Sequence, residues 1–350
     1  MKRRRKLLEE VRKKSCSSVL AMTPPNIFYL SGFWGEGYLF FTEDEAHLIA
    51  AKLEYERAKT SALQVEVIKA EREKEMMKEV KRLTKSHKVC VDDPPASKYL
   101  NLSKELNGNI MCNAELFYNV RMVKDEAEIG ELIEGGKIMD RILNFVGETV
   151  RPGLRERELA AQIIQEMMSM GASPVVYEAS FDPVVVASGP NGSLPHAIIT
   201  DRLLSKGDFV VVDVVLRYHG YVVDATRTYC LGEPDEFKAR VYNAVLQAQE
   251  RALSSVRPKT KTGDVDVQAR NHLRSLELDD YFIHSAGHGI GLDVHEPPWL
   301  RPEGQQVLEE GMTITIEPGV YIPGKFGVRI EDSVIVAPIP ILLTSYSKEL

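Results

Sequence analysis

Apolar and polar positions follow two different periods along this chain, and the change of period divides it. In the first third, short apolar runs at 19–22, 27–30, 38–41, 47–50, 64–68 and 89–91 read as strands, while 55–61 and 71–84 carry helical composition. Pro24-Pro25 and Pro94-Pro95 punctuate turns. Strands interleaved with helices predict a small α/β domain. It holds no phosphate-binding glycine loop and no ligand cluster, so this third discloses no chemistry.

Beyond 121–125 the period lengthens. Ile129, Leu132, Ile133, Met139, Ile142, Leu143 and Val146 recur at three- and four-residue spacing, the mark of a helix with one buried face. Pro152-Gly153 stops it. Leu159, Ile163, Met167 and Met170 continue the pattern in a second amphipathic helix that ends at Gly171. The methionines read as core filler rather than as a ligand surface. The expected division is an N-terminal α/β domain of residues 1–121 and a larger domain of residues 122–350.

Composition narrows the class. At 350 residues the chain exceeds one ordinary domain, and 44% apolar with 27% charged residues is globular. The charge balance, 44 Lys+Arg against 51 Asp+Glu, calls for no nucleic acid partner. The basic run at 2–6 leads into Leu7, Leu8 and Val11 and reads as a helix with a solvated basic face. Glu9, Glu10, Arg12, Lys13 and Lys14 then deny it the apolar stretch of a secretory signal. No run approaches the ~18 apolar residues of a membrane span. Cys16, Cys90, Cys112 and Cys230 form no Cys-x-x-Cys pair, so neither a zinc knuckle nor a disulfide framework is indicated. The expected address is cytoplasmic, without a membrane partner.

Candidate chemistry begins with a hairpin. Residues 209–215 are strongly β-branched, and 221–223 resume the strand pattern after a turn read at Tyr218-His219. That centre puts Asp213 opposite Asp224. Cross-strand partners lie only ~4.5–5.5 Å apart at Cβ, where like charges repel. Asp213 is embedded among valines, where an unpaired carboxylate is costly. A bound cation resolves both problems. The construction recurs downstream: Thr313–Ile316 leads to Glu317, 328–330 lead to Glu331, and a turn centred on Gly324 places the two acids opposite each other. Two such hairpins hint at an internal duplication, each half contributing one acid pair.

Between the hairpins lies His284-Ser-Ala-Gly-His288-Gly-Ile-Gly-Leu-Asp-Val-His295-Glu-Pro-Pro. Gly287, Gly289 and Gly291 remove side-chain bulk where backbone must approach closely. Four of the chain's eight histidines, His196, His284, His288 and His295, accompany the acid hairpins. Four carboxylates and one neutral imidazole balance two divalent ions. Oxygen-rich ligation with one nitrogen suits manganese, iron or cobalt, with zinc as a further candidate. Paired metals lower the pKa of a water between them and stabilise charge on an attacked carbonyl.

Together, Asp213…Gly220-Tyr221-Val-Val-Asp224-Ala-Thr-Arg227-Thr228, Gly287-His288-Gly-Ile-Gly291…His295-Glu296, Glu317-Pro318-Gly319 and Gly327-Val-Arg329-Ile-Glu331-Asp332 resemble the motif series of the pita-bread metallopeptidases. The order, the 11-residue separation of the aspartates and the ligand types agree from about Arg121 onward. The resemblance implies an α+β fold: a creatinase-like N-terminal α/β domain, then a pita-bread catalytic domain (creatinase/aminopeptidase-like) whose curved antiparallel sheet lies beneath covering helices. It implies two divalent metals, manganese or cobalt first, held by Asp213, Asp224, His288, Glu317 and Glu331. Asp224 and Glu331 bridge, and Glu317 also shuttles the proton of the bridging water. His196, His284 and His295 contact the scissile region and the tetrahedral intermediate, with Arg329 nearby.

Val214-Val215 after Asp213 departs from the family pattern of an aromatic or aliphatic residue and then glycine, which puts the substrate range in question. The separate N-terminal domain and His284 favour the prolyl branch over methionine aminopeptidases. Asn26-Ile-Phe-Tyr29-Leu-Ser-Gly32-Phe also resembles the first domain of prolidases and aminopeptidases P, a domain implied to support a homodimer. The expected activity is hydrolysis between an N-terminal residue and proline in short peptides, as an Xaa-Pro dipeptidase. Alternatives are an Xaa-Pro aminopeptidase, a methionine aminopeptidase, or a non-catalytic binding module of the same fold.

Overall fold

The computed structural model describes residues 2–176 and 182–350, and the chain divides into two compact units, Met1–Arg121 and Met122–Leu350. In the first, the apolar runs at 19–22, 38–41, 47–50, 64–68 and 89–91 become β1 (Ser18–Ala21), β2 (Tyr38–Phe41), β3 (Ala46–Ala51), β4 (Glu66–Ala70) and β5 (Val89–Val91), and a sixth strand that the pattern does not mark is β6 (Ile110–Cys112). One mixed sheet runs β4-β3-β2-β1-β5-β6. Around it lie α1 (Lys2–Lys13), α2 (Pro24–Ser31), α3 (Lys52–Ser61), α4 (Glu73–Thr84), α5 (Ala96–Glu105) and α6 (Ala114–Met122). Parallel neighbours need a crossover, and α3 between β3 and β4 and α5 between β5 and β6 provide it.

Two readings of this third change. Residues 27–30 belong to helix α2, not to a strand. Pro24 and Pro25 occupy its first turn, where their missing N–H groups are not needed, and Gly32 closes it in the left-handed conformation (φ 79°). In α1, Lys2, Arg5 and Lys6 are exposed but Arg4 is buried. Its guanidinium donates to Leu30 O at 3.3 Å and Gln64 O at 2.8 Å. Lys2, Arg5 and Lys6 keep to the solvent because Leu7, Leu8 and Val11 take the inner face, and half-buried Arg3 lies over the Tyr29 ring at 4.7 Å.

The second unit opens with α7 (Glu126–Thr149) and α8 (Glu156–Ser169). Asp125 starts α7 with a capping box: its carboxylate accepts from Glu128 N–H, and the Glu128 side chain accepts from Asp125 N–H. Leu132, Met139, Ile142, Leu143 and Val146 form the buried face, and Met167 is buried in α8. These helices pack on the first sheet. It contains β7 (Ser173–Pro174), β8 (Val184–Ser188), β9 (Phe209–Tyr218) and β10 (Tyr221–Cys230), with β9 central.

A second helix pair, α9 (Glu236–Ser255) and α10 (Thr262–Arg274), precedes the second sheet. Its strands are β11 (Gly287–Gly289), β12 (Glu296–Leu300), β13 (Thr313–Ile316), the separately paired β14 (Gly319–Ile322) and β15 (Phe326–Arg329), β16 (Asp332–Ile335) and β17 (Ile341–Leu342). Val241, Val245, Val265 and Leu273 from the helices meet Ile314, Ile316 and Val334 from the sheet in one core. Among the described residues, no helix is long and apolar enough to cross a membrane.

Candidate active site

The first acid pair rides on the β9–β10 hairpin, whose turn is His219-Gly220, one residue later than the sequence pattern suggests. Both residues have positive φ, 46° and 95°, as a two-residue primed turn requires, and glycine takes that conformation without a Cβ clash. The register then sets Asp213 opposite Thr226 and Asp224 opposite Val215. Strand faces repeat every two residues, so the two aspartates still share a face, but as diagonal neighbours rather than as an opposed pair. Gly220→Ala is expected to destabilise by about 1–2 kcal/mol, read as a fall of several degrees in Tm.

The second acid pair sits at a break in two paired segments. Ile316 pairs with Asp332 and Gly319 with Arg329, so Glu317 and Glu331 face each other across the gap. The break matters because it frees backbone for the other hairpin. Glu331 N–H donates to Thr226 O at 3.1 Å. Ser333 Oγ donates to Asp224 O at 2.7 Å, and Thr226 Oγ1 donates to Glu331 Oε2 at 2.7 Å. These bonds seam the two hairpins and bring their acids together.

His288 enters from β11. Gly287 before it admits no side chain, since a Cβ there would lie 2.0 Å from Thr315 O. The His288 ring places Nδ1 3.0 Å from Gly289 O; a carbonyl only accepts, so Nδ1 carries the proton and Nε2 keeps its lone pair. Asp224, His288 and Glu331 offer ligand atoms that all lie within 4.8 Å of one another, and Glu317 Oε1 is 3.4 Å from His288 Nε2.

Behind this group, buried Asp332 accepts from Arg227 Nη2 and Gln249 Nε2 at 2.8 Å, Thr344 Oγ1 at 2.9 Å and Lys348 Nζ at 2.5 Å. Arg227 also donates to Glu331 O at 2.6 Å and to Tyr346 O and Ser347 O.

Electrostatics mark the cluster as incomplete without cations. Burial, followed by repulsion from neighbouring carboxylates, holds Asp224 and Glu331 well above the usual carboxylate range, and burial above all pushes Glu317 up to about 8. Asp213 Oδ1, Asp224 Oδ1 and Glu331 Oε1 are buried with no hydrogen-bond partner. Buried polar groups are otherwise almost always satisfied. Three orphaned carboxylate oxygens beside an imidazole lone pair fit divalent cations.

The predicted residues share one cavity of about 390 Å³: Asp213, Asp224, Glu317 and Glu331, His196, His284, His288 and His295, and Arg329 all line it. Arg329 Nη2 meets Asp213 Oδ2 at 2.5 Å. Burial, with Arg329 nearby, lowers His284 to about 4; burial, with His295 nearby, lowers His288 to about 3. Burial also lowers His295.

A search against family models matches residues 131–338 to metallopeptidase family M24. The chain belongs to this family. Residues 3–123 match the creatinase/prolidase N-terminal domain, so this M24 member carries both parts of the expected architecture, and membership implies divalent metal ions. It is 34% identical over 336 residues to the Xaa-Pro dipeptidase of Pyrococcus horikoshii, covering 95% of this chain and 93% of that protein. The Xaa-Pro dipeptidase structure from Bacillus anthracis superposes with a TM-score of 0.92 at 30% identity, covering 100% of this chain and 99% of that one. An X-Pro aminopeptidase structure from Thermotoga maritima gives 0.90 at 28% identity, covering 99% and 98%.

Sequence reasoning missed Tyr321 and Thr226. Tyr321 hydroxyl lies 2.8 Å from Arg329 Nη1 and 3.1 Å from His284 Nε2. His284 Nδ1 is 2.8 Å from Ser285 O and must donate there, so Nε2 accepts the tyrosine proton. Thr226 Oγ1 accepts from Arg329 Nε at 3.1 Å besides serving Glu331. Correct placement of the first turn reveals Thr226, because it is then opposite Asp213. Tyr321 lies diagonal to Arg329 on the β14–β15 hairpin, so the turn centred on Gly324 brings those two together, but His284 comes from another segment.

Proposed function

We propose that this M24 chain is an Xaa-Pro dipeptidase, hydrolysing the bond between an N-terminal residue and proline. The observation that carries this reading is the single cavity in which five acids, four histidines and one arginine face an apolar wall of Val175, Val184, Val215 and Val294. Its volume lies toward the small end of ligand sites, about 300–1,000 Å³, which favours a dipeptide over longer chains. The M24 unit, residues 122–350, supplies the chemistry in this reading, and residues 1–121 support a homodimer. Two manganese or cobalt ions per chain and a cytoplasmic address complete it.

Asp213, Asp224, His288, Glu317 and Glu331 would hold the ions, which when bound supply an acidified water and polarise the scissile carbonyl. Glu317 takes the water's proton and delivers it to the proline nitrogen as the bond breaks. Burial already raises its pKa, and nearby cations bring it down toward the operating range. His295, exposed at the cavity and kept neutral near pH 7 by its lowered pKa, donates to the oxygen that gains charge, where a pre-aimed donor counts most. His196 reaches the same cavity from the turn that follows the 3₁₀ segment Gly189–Ser193. His284 is held in one tautomer by Ser285 O and Tyr321, so it orients substrate chiefly through ring packing.

The test is proline release from Met-Pro beside cleavage of Met-Pro-Ala-Ala, with chelator-stripped protein restored with manganese, cobalt or zinc in turn. Metal-dependent cleavage of Met-Pro alone is expected. Cleavage of the longer peptide moves the assignment to an Xaa-Pro aminopeptidase. Silence on both, with metal bound, overturns the prolyl reading and directs the assay to Met-Ala-Ser.

A further inference from the structure

A further buried charge pair, outside the ligand set, lies next in sequence to His295. Lys124 Nζ and Glu296 Oε1 meet at 3.0 Å with 1% and 2% of their side-chain surfaces exposed. Desolvation offsets most of the attraction in such a pair, so stability alone is a weak reason for its presence.

Its placement supplies a better one. Lys124 is fixed on both sides: its N–H donates to Gly311 O at 3.0 Å, Val123 bridges to Met312, and Asp125 caps α7. Glu296 opens β12 directly after His295 and pairs in register with Gly289, the neighbour of His288. The intervening loop therefore carries His288 at one end and His295 at the other, their ring centroids 4.4 Å apart. Elsewhere it is tied by Val222 N–H to Gly291 O and by Arg217 Nη1 to Leu292 O, both at 2.7 Å. Its inner side is filled by the ion pair: a Cβ on Gly291 would lie 2.5 Å from Glu296 Oε1 and 3.1 Å from Lys124 Cε.

We infer that Lys124 is a positioning residue for the reaction: through Glu296 it sets where the loop 289–295, and with it the His295 ring, stands in the cavity. The inference rests on the dipeptidase reading for its activity assay. Lys124 bonds to Glu296 and to Met122 O rather than to a ligand residue, so it acts through Glu296.

Removing one partner alone strands a buried charge, and such a protein can simply fail to fold. The decisive variant is therefore K124M/E296L, which replaces the pair with apolar side chains of similar bulk. It is expected to melt within a few degrees of wild type and to bind manganese within about threefold by calorimetry. Its kcat on Met-Pro is expected to fall tenfold or more, with KM changed far less. A folded double variant with wild-type kcat overturns the inference. If the double variant melts well below wild type, the near-isosteric E296Q decides in the same assay, a preserved kcat again counting against the inference. Wild type serves as the control: if it leaves Met-Pro intact, the dipeptidase reading fails. Emission from Trp299, which pairs with His288 across β11 and β12, then decides for Lys124. A spectrum unchanged in the double variant overturns the inference, and a shifted one supports it.

Discussion

Glu317→Ala is expected to lower kcat on Met-Pro by about 10³-fold or more while leaving the fold intact. Positioned proton transfer alone is worth about 10²–10⁴, and alanine also removes an oxygen donor from the cation site. Glu317→Gln separates these contributions. Its amide keeps one oxygen directed at the place where Glu317 Oε1 stands, 3.4 Å from His288 Nε2, but it cannot carry the proton. The glutamine variant should therefore retain manganese binding by titration calorimetry and still lose about 10²–10⁴ in kcat. Near-wild-type turnover in either variant would sink the assignment of proton transfer to Glu317.

The metal-free protein should lose stability as pH rises from about 6.5 to 8. Asp224, Glu331 and Glu317 have folded pKa values above their unfolded ones, Glu317 at about 8. Between the two values the folded state binds more protons than the unfolded one, so stability is greatest below the unfolded pKa and declines as pH climbs through the folded pKa. His284 and His288, lowered to about 4 and 3, act in the opposite direction. Their contribution is present above about 6.5 and is lost as pH falls below it. Above that pH only the acids act, and a fall in Tm on the order of 5 °C is expected by pH 8.

Manganese should remove this slope, since a cation held by these carboxylates would keep them ionised in the folded state as they are in the unfolded one. Asp224→Asn should do so differently: it relieves the crowding, raises the metal-free Tm at pH 8, and abolishes the rise that manganese gives. A flat metal-free Tm across this window would mean that the acids are already compensated.

Much of the site was legible because its chemistry is written in strand registers. The second hairpin could be centred from its glycines, and Glu317 opposes Glu331 as that centre requires. The first could not be centred as well, because Tyr218-His219 and His219-Gly220 are both plausible turns by composition. Only the need for two positive φ values decides between them. Periodicity also misread 27–30, where four residues are too few to separate a buried strand from one turn of helix. The contacts of Tyr321 and Lys124 were out of reach for another reason. Lys124 meets Glu296 across 172 residues, and Tyr321, though diagonal to Arg329 on one hairpin, meets His284 at a separation of 37 residues, so only the folded sheets define these neighbours.

The bonds around Asp332 set an order of events. Thr344 and Lys348 hold Asp332, and Tyr346 and Ser347 hold the Arg227 that grips Glu331 O. All four are synthesised after every candidate ligand. A chain still growing on the ribosome can fold both hairpins and yet lack the clasp that fixes them against each other. Cation capture then waits until Thr344 to Lys348 have joined the fold, and a nascent chain arrested before residue 344 should show weaker manganese retention than one extended well past Lys348.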